Sequence, residues 1–160
     1  MKKFIVIIVI LLTISLTGIV VLSSKKDKQE NTDSKNISYE SKLTDIKFND
    51  KVNIYFFYGK GCPHCEALFT YFESIKSKYS KYYNLYAFEV WYNEDNGKTM
   101  DYFLEKFDKK VSSRSVPFLI IGDEAFEGYS SSMNQKIIDT IEEKYKNKDN
   151  IKDFSDILNI

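Results

Sequence analysis

Two cysteines are the only thiols in this 160-residue chain, and they lie together as Cys62-Pro63-His64-Cys65. A structural disulfide framework spreads its cysteines to close long loops, so a pair separated by two residues constrains little of the chain. Redox chemistry or metal binding is what this spacing can do. A structural zinc site asks for four ligands, yet the chain has no third cysteine and one histidine, His64, which stands between the two sulfurs. No metal or other cofactor is therefore expected, only a redox-active Cys62–Cys65 disulfide.

Each residue of the motif has a physical task if a helix begins there. Cys62 at a helix N-terminus lies near unpaired N–H groups and the positive end of the helix dipole, which favour a thiolate. Pro63 suits the first helical position, where its missing N–H costs nothing. His64 can bring positive charge close to the sulfur. Cys65, one turn on, is expected to be the more buried, slower partner. A stabilised Cys62 thiolate is a good leaving group, which weakens the disulfide and makes the pair oxidising. Lys60 adds either positive potential or only a solvated turn residue.

The elements around the motif support such a helix start. Val52 to Tyr58 is a β-branched and aromatic run that predicts a buried strand, ended by Gly59-Lys60-Gly61. Leu68, Phe72, Ile75, Tyr79 and Tyr82 recur at helical spacing and predict a helix from near Cys62 to about Lys81. Leu85 to Tyr92 reads as a second strand, and Met100, Phe103, Leu104, Phe107 and Val111 as a second helix. Val116 to Ile121 reads as a strand with Pro117 at its start, where a missing N–H is tolerated. Gly122-Asp123 is a turn and Glu124 to Tyr129 a return strand. Met133, Ile137, Ile141 and Tyr145 line a last helix, whose charged end from Glu142 to Asp149 is a solvated face. The order β-α-β-α-β-β-α predicts an α/β fold with a mixed four-stranded sheet flanked by helices. An extra N-terminal helix from Tyr39, carrying Leu43, Ile46 and Phe48, and an amphipathic piece from Ile151 to Ile160 are expected to pack on it. Trp91 and the tyrosines beside it read as core or rim residues rather than substrate contacts.

The N-terminal region predicts export. Phe4 to Leu22 carries no charge and follows Lys2 and Lys3. At about 1.5 Å per residue the run approaches the roughly 30 Å hydrocarbon thickness of a bilayer. Residues 1–24 therefore read as a single-pass anchor in the cell membrane with the domain outside, or as a signal peptide that is removed to leave a secreted protein. Residues 25–38 read as a flexible polar tether, and 39–160 as the folded domain, with its core at about 50–146. Lys plus Arg and Asp plus Glu both number 23, so charge gives no reason to expect a nucleic-acid partner. The abundance of Lys, Asn, Ile and Tyr with little Arg, Pro or Trp hints at an AT-rich bacterial genome.

Tyr58 to Cys65 resembles the active-site turn of the thioredoxin superfamily, and the Pro-His dipeptide between the cysteines is that of DsbA-type disulfide oxidases. Ser115-Val116-Pro117 is similar to the cis-proline loop of that superfamily, and Val116 to Ser130 to the C-terminal half of glutaredoxins. The resemblance implies a thioredoxin-like fold over about residues 50 to 146, with Cys62 and Cys65 catalytic. It also implies a cis Val116–Pro117 bond, with Val116 and Pro117 meeting the substrate backbone. The expected activity is oxidation of dithiols in cysteine-containing exported proteins by thiol–disulfide exchange, served by a redox partner in the membrane. An exported reductase and a non-enzymatic binding domain are the alternatives. Two departures stand out. Thioredoxins carry a buried acid six residues before the first cysteine, where this chain has Phe56, and the large helical insertion of DsbA is absent.

Overall fold

In a computed structural model, residues 40–109, 114–150 and 154–159 are described. The expected anchor and tether lie outside them, and no helix among the described residues is long and apolar enough to cross a membrane. The described residues belong to one compact unit, Ser38–Ile160.

Alternation of side chains along the strands builds the fold. Strand β1 (Val52–Tyr58) lies at the centre, parallel to β2 (Tyr83–Glu89) on one side and antiparallel to β3 (Phe118–Ile121) on the other. Strand β4 (Glu124–Glu127) pairs antiparallel with β3, giving the order β2-β1-β3-β4. Side chains two apart share a face of a strand. Ile54, Phe56, Ala87, Leu119 and Ile121 thus form one core with helices α1 (Pro63–Tyr79) and α3 (Asn134–Lys146). Tyr55, Phe57, Phe88, Phe118 and Ile120 form a second core with helix α2 (Glu94–Lys106). This is the thioredoxin-like fold, with both faces of a mixed sheet covered.

Local chemistry fixes the helix limits. Helix α1 has Pro63 at its first position and buries Leu68, Phe72, Ile75 and Tyr79 at helical spacing. Helix α2 is capped by Asn93, whose side chain accepts the Asn96 N–H, and has Glu94 and Asp95 in its first turn, where acids suit the dipole.

Several boundaries differ from expectation. The stretch expected as an extra N-terminal helix holds a single 3-10 turn, Leu43–Asp45, preceded by an isolated bridge from Glu40 to Ala87. Only Ile46 of its apolar residues is buried, while Phe48 is 40% exposed, so there is no continuous apolar face to hold a longer helix. Strand β2 ends at Glu89 rather than Tyr92, because the Glu89 carboxylate takes the N–H groups of Trp91 and Tyr92. Strand β3 starts at Phe118, just after the imino nitrogen of Pro117. The C-terminal piece contributes Phe154 and Ile157 to the second core and is a 3-10 helix at Ser155–Asn159. The expected solvated face is partly engaged: Lys144 reaches Asp123 at 2.8 Å.

Candidate active site

Strand directions bring the motifs to one end of the sheet. Parallel β1 and β2 both finish there, and Tyr58 pairs with Glu89. Phe57 pairs with Phe118 in antiparallel β3, so Pro117 comes next to Tyr58 at the same edge. The Cys62 turn, the Glu89–Tyr92 connection and the Val116–Pro117 loop therefore converge, as ligand sites do at the carboxyl ends of strands in α/β sheets.

The turn itself is narrowly determined. Gly61 has φ +82°, in the left-handed region that a side chain disfavours. Cys62 N–H then donates to Gly59 C=O at 3.1 Å, and Cys62 stands as the N-cap of α1. Its Sγ accepts the Cys65 N–H at 3.3 Å, and its carbonyl accepts from the N–H groups of Cys65 and Glu66, both at 3.0 Å. A sulfur in this position takes the capping role usually filled by a side-chain oxygen, and negative charge on it meets the helix dipole favourably. Both cysteines are free thiols, with Cys62 5% and Cys65 1% exposed, so the expected order of burial holds. Pro63 and His64 are exposed on the first turn of α1.

Aromatic surroundings keep Cys65 neutral. Phe56 is fully buried, its ring 4.6 Å from that of Phe69, and both pack in the cluster that contains the two cysteines. Burial, then the hydrogen bond with Cys62, pushes the Cys65 thiol up to about 12. Burial also raises Tyr58, Tyr71 and Tyr83 to about 12, and at Tyr58 the charges of Glu40 and Glu89 add to it. All four groups ionise more readily in the unfolded chain than in the folded one. Their contribution to stability is therefore complete below the unfolded thiol value near 9 and is lost as pH rises towards 12. Urea melts should show the unfolding free energy falling over that window. A flat profile would mean that these groups are not shielded from water.

The Val116–Pro117 bond is cis. Pro117 is buried, its C=O accepting the Gly128 N–H at 2.8 Å, and Val116 packs against the cysteine cluster. Sequence reading had no means of finding what anchors this loop. Arg114, the only arginine in the chain, donates Nε to Asp101 Oδ1 at 2.9 Å and Nη2 to Asp101 Oδ2, with Glu94 3.6 Å from Nη2. Its guanidinium lies over Gly97, where a Cβ would come within 2.4 Å of Nη1. The planar fork matches a carboxylate in a way that lysine cannot. Unusual scarcity of arginine was the one signal available.

Glu89 was likewise missed, being read as one residue of a strand. It is 7% exposed, yet its Oε1 accepts the N–H groups of Lys60 (3.1 Å) and Trp91 (3.0 Å), and Oε2 that of Tyr92 (2.9 Å). Trp91, half-exposed, sits on Gly59 so closely that a Cβ there would lie 2.2 Å from the indole Cδ2. Trp91 and Tyr92 are thus rim residues. An open groove of about 810 Å³ runs beside the turn, lined by Glu40, Lys60, Gly61, Tyr92, Glu94 and Asp95. Among the described residues, no three His, Cys, Asp or Glu side chains are grouped to hold a metal ion.

No protein-family model and no curated protein sequence matches the chain. Solved structures that resemble it include a glutaredoxin from Archaeoglobus fulgidus, 17% identical with a TM-score of 0.40, aligned over 54% of this chain and 86% of that one. Chloroplastic thioredoxin z is 16% identical with a TM-score of 0.42, over 59% and 81% of the two chains. The thioredoxin of Malassezia sympodialis is 15% identical with a TM-score of 0.42, over 64% and 82%. Likeness at this level concerns fold alone, so the chemistry is read from the site.

Proposed function

We propose that the chain is a thiol–disulfide oxidoreductase working through Cys62 and Cys65, and that it oxidises dithiols in exported proteins. The observation that carries this reading is the asymmetry of the pair. Cys62 Sγ caps α1 and accepts the Cys65 N–H, while Cys65 is buried among aromatic rings and stays protonated up to about 12.

In the forward reaction a substrate thiolate attacks Cys62 Sγ of the Cys62–Cys65 disulfide. The S–S bond breaks, Cys65 leaves, and its sulfur takes up a proton in its shielded position. A second substrate thiolate then attacks the substrate sulfur of the mixed disulfide, and Cys62 leaves as a thiolate held by the N-terminus of α1. Two electrons have passed from the substrate dithiol to the enzyme pair, and the substrate has gained a disulfide. A membrane redox partner that takes these two electrons would return the pair to its oxidised form. Stabilising the reduced pair makes it the stronger oxidant. Phe56 supports this direction as well: a thioredoxin-like reductase needs Cys65 to attack the mixed disulfide, and no carboxylate stands at that position to take its proton. Val116 and Pro117, at the same edge, would present their backbone to the substrate segment.

An extracytoplasmic site fits because disulfides persist there. It rests on the uncharged run Phe4 to Leu22, as a membrane anchor or a removed signal. The test is the reduction potential, found by equilibrating the chain with glutathione buffers and trapping free thiols. A value well above the roughly −270 mV of thioredoxin is expected. A value at or below it would reverse the direction and make the chain a reductase fed by a membrane donor.

A further inference from the structure

Glu89 is a buried acid with no cationic side chain among the described residues in hydrogen-bond contact, and its carboxylate is committed to three backbone N–H groups on two different segments. One of these, Lys60, belongs to the turn that delivers Cys62. The other two, Trp91 and Tyr92, begin the connection to α2, and Trp91 places its indole against Gly59 of the same turn. Gly59 in turn accepts the Cys62 N–H. The Glu89 carbonyl accepts Asn96 Nδ2 at 3.0 Å, which ties the first turn of α2 to the same residue.

We propose that Glu89 is a positioning residue for Cys62: by gripping Lys60 directly and Gly59 through Trp91, its carboxylate fixes the turn so that Cys62 Sγ meets the N-terminus of α1. The inference rests on the reading of Cys62 as the reactive thiol. Bonds from N–H groups to a carboxylate are shorter and stronger than neutral ones, and a buried N–H that loses its acceptor is costly. Relaxation of the turn on losing them would carry Cys62 away from the Cys65 N–H. A second way in which Glu89 could act has the opposite sign, since a negative charge near the turn would by itself repel a thiolate.

Two substitutions in the full chain, each made alongside Cys65→Ser so that one thiol remains, separate these roles. Glu89→Gln removes the charge but keeps an oxygen able to accept from Lys60 and Trp91. Glu89→Asp keeps the charge but withdraws it by one methylene, out of reach of Lys60. The readout is the rate of Cys62 alkylation by iodoacetamide as a function of pH, with emission of Trp91, the only tryptophan, followed in parallel. Positioning predicts that Glu89→Gln keeps the parent profile. Glu89→Asp should shift the profile to higher pH, slow alkylation at neutral pH by about threefold or more, half a unit on the titration, and move the Trp91 emission. Faster alkylation in Glu89→Gln with no change in Glu89→Asp would show that only charge matters and would overturn the proposal. Lower melting temperatures with unchanged profiles would overturn it too, leaving Glu89 a structural residue. Alkylation needs no disulfide substrate, so a chain that is inert as an oxidoreductase but whose Cys62 responds to Glu89 would separate failure of the proposed function from failure of this inference.

Discussion

Replacing Cys62 with Ser is expected to reduce oxidation of a dithiol peptide, measured in a glutathione buffer, to the uncatalysed background. A hydroxyl at the head of α1 can cap the helix but cannot form the mixed disulfide. The remaining thiol cannot take over. Cys65 is 1% exposed, packed with Phe56 and Phe69, and burial holds it protonated up to about 12. Replacing Cys65 gives a different phenotype when the peptide carries a single cysteine. In the Cys65→Ser chain the Cys62 thiolate takes a glutathionyl group from oxidised glutathione, and the peptide thiolate then displaces glutathione to leave a Cys62–peptide disulfide that neither Cys65 nor a second peptide thiol can resolve, visible on non-reducing gels. Loss of dithiol oxidation in Cys62→Ser, with a trapped single-cysteine adduct only in Cys65→Ser, is the expected pattern. Wild-type turnover by Cys62→Ser would move the chemistry away from this motif altogether.

The largest effect on stability is expected far from the sulfurs. Phe103 of α2 is fully buried, with its ring 4.7 Å from Tyr55, 5.6 Å from Phe57 and 5.1 Å from Phe154. It therefore joins α2, the central strand and the C-terminal piece in one cluster. Phe103→Ala removes apolar burial and leaves a cavity that rigid neighbours fill only in part, at a cost of about 3–5 kcal/mol. Against a typical total of roughly 5–15 kcal/mol that is a large share. Urea melts should show a lower midpoint with an unchanged slope. Phe103 lies on the sheet face opposite the cysteine cluster, so Cys62 reactivity below the transition should match the parent. A loss below about 1 kcal/mol would mean that Tyr55 and Phe154 collapse into the space.

These two outcomes divide the molecule along the sheet, and so does the question of what could be read in advance. The β-branched and aromatic run from Val52 to Tyr58 and the helical spacing from Leu68 to Tyr79 are local signals. Burial rewards them wherever the segments end up, so strand order by type, the position of the helix start and the place of the cysteines were legible. Cys62, Pro63 and Cys65 were readable for the same reason: capping, a first-position proline and one-turn spacing are all settled within four residues. The cis Val116–Pro117 loop was legible only through resemblance, since its partner segment lies more than fifty residues away.

Residues whose importance comes from a long-range partner were not legible. Glu89 looks like an ordinary strand residue until β2 is laid parallel to β1, which brings its carboxylate to the Lys60 N–H. Arg114 becomes an anchor only when α2 offers Asp101, with Gly97 leaving room for the guanidinium. The same holds for the stretch after Tyr39, where apolar residues suggested a helix but the bridge to Ala87, with Ile46 buried and Leu43 partly buried against the second core, goes with a single 3-10 turn. By itself the sequence carried the signals on which the proposed chemistry rests, because sulfur spacing and helix capping are local. Tertiary structure alone decided how that chemistry is held, because a hydrogen bond between distant segments exists only once packing has brought its donor and acceptor within about 3 Å.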